Sequence, residues 1–255
     1  MATVTSPRSR SFVGSFYITM AAIFAAIAFS GFFMTYWLPV ARGSFAGAPI
    51  LHLHGLLFSL WTLFFLSQAI LVANGGLRHH KAWGLAGISL ATAMVFVGMA
   101  VAIIGLDRRL ELGYGDAARA FAFVPISAVL LFGGLTAAAM TNLRRPEWHK
   151  RFMLVATAVL LQPAIARYFF VLAGKADAAV RQAGPPPPVS LGMPVLIVDA
   201  LILAAVLYDW KARGRLHPAY AWGFGVVLAV HLLRPFISRT DAWYAIADFL
   251  ARFNG

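Results

Sequence analysis

The chain has 255 residues, 61% of them hydrophobic and 12% charged, with no cysteine and a formal net charge of +12. With a mean hydropathy of +0.78 and about half the roughly 25% charged fraction usual in soluble domains, it is not an ordinary water-soluble domain. The absence of cysteine excludes disulfides, thiolate metal sites and cysteine nucleophiles, so any metal must be held by nitrogen or oxygen.

Crossing a hydrocarbon core of roughly 30 Å takes about 20 helical residues, and the sequence predicts seven such stretches. The first covers residues 13–40. Its apolar run is far longer than the roughly 7–15 residues of a cleavable signal's core, so it reads as a retained helix. The second, 49–73, opens with Leu51-His52-Leu53-His54-Gly55 and carries Trp61, Phe64, Phe65 and Gln68. Arg78-His79-His80-Lys81 reads as a loop before the third span, 84–106. The fourth, 119–142, contains Pro125; the fifth, 151–173, contains Pro163 and Arg167. The stretch 174–188 ends in four prolines, which predict an extended spacer. The sixth span, 189–210, holds Pro194 and Asp199, and the seventh, 216–238, holds His231, Arg234 and Pro235. Residues 241–253, with Trp243 and Tyr244 on an apolar face, predict a short helix lying on the membrane interface. The expectation is therefore an all-α integral membrane bundle of seven transmembrane helices plus a short C-terminal interfacial helix, forming a single membrane domain.

The charge is distributed by topology. The N-terminus and even-numbered loops carry eleven basic residues against Glu147 and Asp209, whereas the other loops and the C-terminus carry eight against six acidic ones. That asymmetry is the positive-inside pattern, with the N-terminus cytoplasmic and the C-terminus outside in a bacterial inner membrane. It excludes nucleic acid as the partner of the charge. The basic loops suit anionic lipid headgroups. The four prolines fall in the outer half on this topology, and bends there predict a splayed, partly polar cavity, unless they only reflect how common proline is in transmembrane helices.

Ionisable residues within spans are costly and mark candidate sites. At about 1.5 Å per residue, His54 lies roughly 6–8 Å below the outer surface and His231, about 22 Å from the cytoplasmic end, reaches nearly the same depth. Arg167 and Arg234 lie closer to that surface and Asp199 near the middle. His52 and His54, two residues apart, point about 200° away from each other, so only one faces a common centre, and His54 is preferred. Two arginines against one aspartate leave a surplus positive charge that a ligand anion would neutralise. Haem b fits that balance, with His54 and His231 as axial ligands, Arg167 and Arg234 on the propionates and Trp61 in the aromatic lining, which also suits a quinone. A single zinc, iron or copper ion held by His54, His231, His52 and Asp199 is a second chemistry, as in a zinc-dependent intramembrane hydrolase. Binding or transport of an anionic small molecule or lipid is a third, and a partner subunit pairing with the buried charges a fourth. The bland alternative is that the histidines pack at span ends and the arginines reach to phosphates. Retinal chemistry is excluded because the last span has no lysine.

The segment Arg78-His79-His80-Lys81 followed by Trp83-Gly84, and His149-Lys150-Arg151-Phe152-Met153 continuing to Arg167, resemble uncharacterised bacterial polytopic families with a His-Arg loop and a His-Lys/Arg-Arg-x-Met helix start. Those families are often compared with b-type transmembrane cytochromes and oxidase-assembly proteins. The resemblance covers residues 50–170 and implies redox chemistry, although the histidines here do not form the two stacked pairs of a di-haem cytochrome.

Overall fold

The computed structural model describes residues 7–175 and 192–253, and every regular element among them is helical. The four prolines at 185–188 lie outside the described residues. Helix α1 (Pro7–Phe32) passes through a π-helical turn, Phe33–Trp37, into the short α2 (Leu38–Ala41). There follow α3 (Ile50–Ala73), α4 (Leu77–Glu111), α5 (Gly115–Thr141), α6 (Pro146–Val159), α7 (Gln162–Leu172), α8 (Met193–Arg213), α9 (Pro218–Ile237) and α10 (Asp241–Ala251). Among the described residues seven stretches are long and apolar enough to cross a membrane: Ser15–Ala41, Ile50–Ala73, Leu77–Glu111, Gly115–Thr141, Pro146–Leu172, Met193–Arg213 and Pro218–Ile237. The protein is a multi-pass membrane protein with an all-α helical bundle.

Two expectations change. The third span begins at Leu77, so Arg78-His79-His80-Lys81 forms the first turn of α4 and is not a loop. At 35 residues that helix is roughly 52 Å long at 1.5 Å per residue, well beyond what a bilayer core requires. Hydropathy reports only the lipid-buried middle of such a helix, and its charged ends read as loops. The prolines also behave differently from one another. Pro125 and Pro235 lie inside continuous helices, while Pro194 sits in the first turn of α8, where its missing N–H costs nothing. Only Pro163 coincides with a break. It follows Gln162, the first residue of α7, and lacks the N–H that would bond back to Val159; Leu160 and Leu161 bond instead to the carbonyls of Thr157 and Ala158 at 3.2 and 3.0 Å. A groove of about 520 Å³ between α5 and α9 is lined by residues such as Leu130, Leu131, Phe152, Val226 and Val230. It is apolar and does not match the polar cavity expected from proline bends.

Span 5 is the axis of the bundle. Leu154, Val155, Ala156 and Ala158 have no solvent exposure, and residues on every side of α6 are buried, which requires neighbours all round. Spans 1, 4, 6 and 7 supply them. Lipid tails are as apolar as leucine, so burial of apolar surface does little to drive helices together inside a membrane; close packing and hydrogen bonds between helices must do it. Both converge on span 5. Trp61 Nε1 in span 2 donates to Thr157 Oγ1 at 3.3 Å, and Ser30 Oγ in span 1 lies 2.6 Å from the Tyr168 hydroxyl. Gly31 touches the α7 backbone so closely that a Cβ there would stand 2.4 Å from the Ala164 carbonyl oxygen.

The C-terminal helix is docked on protein as well as being amphipathic. Trp243 and Ala247 bury against Ala102, Leu106, Ala118 and Ala122 of α4 and α5. Trp243 Nε1 donates to the Arg119 carbonyl at 2.7 Å, and Arg119 Nε pairs with Asp248 at 2.7 Å.

The span 1 to span 5 crossing gives a direct test. The variant G31A is expected to lose about 1–3 kcal/mol through overpacking, read as a lower unfolding temperature in detergent. G134A, where an added Cβ meets nothing within 4 Å, should leave it unchanged.

Candidate functional site

The break in span 5 gathers polar side chains from spans 5, 6 and 7. His231, only 2% exposed, has Nδ1 2.9 Å from Asp199 Oδ1. One turn on, Arg234 is equally buried, and its Nη2 donates to Gln162 Oε1 at 3.3 Å. Gln162 is the first residue of α7, so the guanidinium is aimed at the start of the second half-helix. Asp199 lies within electrostatic range of Arg234, but the hydrogen bond of that carboxylate is with His231. The Arg234 Nε has no hydrogen-bond partner among the described residues.

Arg167 lies one turn after Pro163 and donates from Nη1 to the Pro163 carbonyl at 2.9 Å. Its guanidinium carbon stands 4.0 Å above the Phe32 ring, at the entry to the π-helical turn of span 1, and its Nε has no partner among the described residues. It is within electrostatic range of His54 in span 2. The His54 ring packs on Phe58 at 4.1 Å between centroids, and its Nδ1 is buried without a partner among the described residues.

His52 goes elsewhere. It is exposed, with Nδ1 3.1 Å from the Tyr36 hydroxyl and the Phe45 ring edge-on at 5.0 Å. Trp61, expected to line a cofactor, is 2% exposed in the packed core, edge-on to Phe132 at 5.0 Å with its N–H satisfied by Thr157. A satisfied, enclosed indole ties spans 2, 4 and 5 together. The donor set His54, His231, His52 and Asp199 does not assemble as a single metal centre: among the described residues no group of three or more histidine, aspartate or glutamate side chains could hold a metal ion. The physical reason is that His52 is held by the span 1 side chains Tyr36 and Phe45, while Asp199 is engaged by His231.

At the opposite, basic end of the bundle lies a network that composition alone presented as surplus charge. Arg151 has no solvent exposure. Its Nε donates to Asp209 Oδ2 at 3.2 Å, its Nη2 bonds Asp209 Oδ1, and its Nη1 reaches Glu147 Oε2 at 2.7 Å. Arg213 Nε meets Asp209 Oδ1 at 3.1 Å and its Nη2 bonds Glu147, while Lys150 Nζ reaches Glu147 Oε1 at 2.8 Å. The two acidic residues of this end are thus shared among three cations, locking span 5 to span 6. A sequence signal for it exists: Glu147 and Arg151, and Asp209 and Arg213, are each four residues apart on a helix.

His217 belongs to the same end. Gly214 closes α8 in the left-handed conformation, φ 71°, and three residues later the His217 Nδ1 accepts the Ala219 N–H at 3.1 Å, capping α9. Burial, then the charges of Arg151 and Arg213, pull this imidazole down from its ordinary 6.5 to about 4. A neutral ring is what the cap requires, since a protonated Nδ1 cannot accept.

Compared with models of protein families, with curated proteins and with solved structures, the chain shows no match.

Two outcomes are expected. In D209L the buried Arg151 keeps Glu147 but loses the carboxylate that meets its Nε and Nη2, which should cost about 3 kcal/mol, whereas R151M/D209L, with both charges gone, should recover most of it; detergent unfolding curves that do not separate the two variants would refute this account of the network. For His217, the unfolded ring takes up its proton near pH 6.5 and the folded ring only near 4. Its contribution is therefore complete above 6.5 and declines as pH falls toward 4. H217S keeps a capping oxygen, so its unfolding temperature should fall less than that of the parent chain over this window.

Proposed function

We propose that the break in span 5 holds the anionic group, a carboxylate or phosphate, of a small molecule or lipid, in a binding or transport protein of the bacterial inner membrane. The observation that carries the reading is Arg234: a guanidinium 2% exposed inside a span, bonded to a neutral amide and with an Nε that has no partner among the described residues. An arginine so placed is stabilised by an anion. The α7 terminus adds to it. The first N–H groups of a helix have no intrahelical partner and carry partial positive charge, and discontinuous transmembrane helices use such ends to meet anionic groups near mid-membrane. Arg167, stacked on Phe32 beside His54, extends the positive field toward span 2.

The excess of basic residues at the opposite end supports a cytoplasmic N-terminus, with the arginines there facing anionic lipid headgroups and the anion site facing outward.

A haem- or metal-dependent redox protein is the second reading, and one observation favours it. Asp199 holds Nδ1 of His231, which leaves Nε2 available in the way ligating histidines are oriented by a carboxylate. On this reading His231 and His54 are the axial ligands of haem b, the arginines hold propionates, and a quinone is a suitable electron partner.

Tag-free protein distinguishes the two. Titrated with inorganic phosphate, a short-chain fatty acid or an anionic lipid, it should be stabilised by about 2.7 kcal/mol at a hundred times Kd. R234Q should abolish the shift and R234K retain part of it. A Soret absorption band lost in H231A, with no anion-dependent shift, would replace the anion reading with the redox one.

A further inference from the structure

Four histidines at the basic end are not required by lipid headgroups, and the structure separates their roles. His217 caps α9 and His79 is exposed on the first turn of α4. His80 and His149 are different. They come from spans 3 and 5, and their rings face one another with centroids 6.1 Å apart and planes at 80°.

The arrangement leaves a nitrogen free on each ring. His149 Nδ1 lies 3.1 Å from the Ala139 carbonyl at the end of span 4. A carbonyl accepts only, so Nδ1 carries the proton and the neutral ring keeps its lone pair on Nε2. That is the outer bond that fixes tautomer and orientation in ligating histidines. His80 Nδ1 is buried with no partner among the described residues, an unmet polar atom that calls for one. Two imidazoles binding one ion through bonds of about 2 Å place their ring centroids roughly 5–6 Å apart. The observed spacing of 6.1 Å lies just beyond that range, so a small rotation of either ring closes it.

We propose that His80 and His149 form a two-nitrogen site for a copper ion. Imidazole suits copper, and copper heads the affinity order of the divalent first-row metals, so it is the ion best held by two nitrogens with no carboxylate. Zinc sites ordinarily take three or four protein ligands, and this place offers no third histidine or acidic ligand among the described residues. Both rings are half-buried at the end of the bundle, within reach of ions from water. Bound copper would join span 3 to span 5 at this pair of rings. The site is independent of the anion reading, since it shares no residue with it.

The test uses tag-free, full-length protein in detergent, equilibrated with Cu(II) or Zn(II) against a glycine competitor. One equivalent of copper per chain is expected, with nitrogen hyperfine structure in the electron paramagnetic resonance spectrum. Affinity should fall at least tenfold in H80A and in H149Q, whose amide can still donate to the Ala139 carbonyl, and be unchanged in H79A and H217S. Copper retained at full affinity by H80A/H149Q, or lost equally in H79A, would overturn the proposal. So would zinc binding as tightly as copper. Metal-free unfolding temperatures close to that of the parent chain establish that the variants are folded, and H80Q replaces H80A if the latter is not.

Discussion

An arginine without solvent exposure has to be paired, and the pairing of Arg151 sets the rest of the bundle in place. Its guanidinium is satisfied only if Asp209 of span 6 and Glu147, one turn earlier on span 5, are both brought to it. That demand fixes the rotation of α6 about its own axis, because Arg151 must point toward α8. With α6 so oriented, Thr157, nearly two turns on, meets Trp61 of span 2. Hydrophobic burial cannot specify such a rotation inside a membrane, since an apolar helix face is as content against lipid as against another helix. Polar contacts can.

The same central helix explains why the opposite end is polar. Pro163 prevents α6 from continuing, and the resulting half-helix start at Gln162 is the place toward which Arg234 points. Span 1 accommodates this disturbance rather than span 4. Its Gly31 lets the α7 backbone approach, and immediately afterwards its helix widens into the π-helical turn whose first neighbour, Phe32, lies beneath Arg167. Irregular backbone is tolerated at such depth only where neighbouring protein or a cavity satisfies it. Breaks in two adjacent spans, one with the buried Arg234 beside it and the other with the half-buried Arg167 stacked on it, are therefore one feature of the bundle.

The two ends differ in how their charge is balanced. At the basic end Arg151, Arg213 and Lys150 each bond directly to a carboxylate, Asp209 or Glu147, so the role of the network is structural. At the other end Asp199 is engaged by His231, and the nearby arginines are left to a neutral amide, a carbonyl and an aromatic face. Charge paired as at the basic end holds helices together.

The sequence by itself determined that the chain is an all-α bundle of seven membrane helices with a short amphipathic helix at its end. It also singled out His54, His231, Arg167, Arg234 and Asp199 as residues out of keeping with hydrocarbon. Those conclusions rest on composition along one chain: hydropathy over some twenty residues, rise per residue, and the cost of an ion in lipid. Only the tertiary structure decided which of them meet. Partner choice depends on the rotation of each helix, which hydropathy does not encode because a lipid-facing side and a protein-facing side are equally apolar. So the sequence could not show that Asp199 turns to His231, that Trp61 is sealed in the core, or that His52 leaves the group for Tyr36. It also read the charged first turn of α4 as a loop, and with it missed that His80 faces His149 across two spans. That pairing depends on a helix continuing past the apolar boundary, and on a third element, the Ala139 carbonyl, holding the second ring in place.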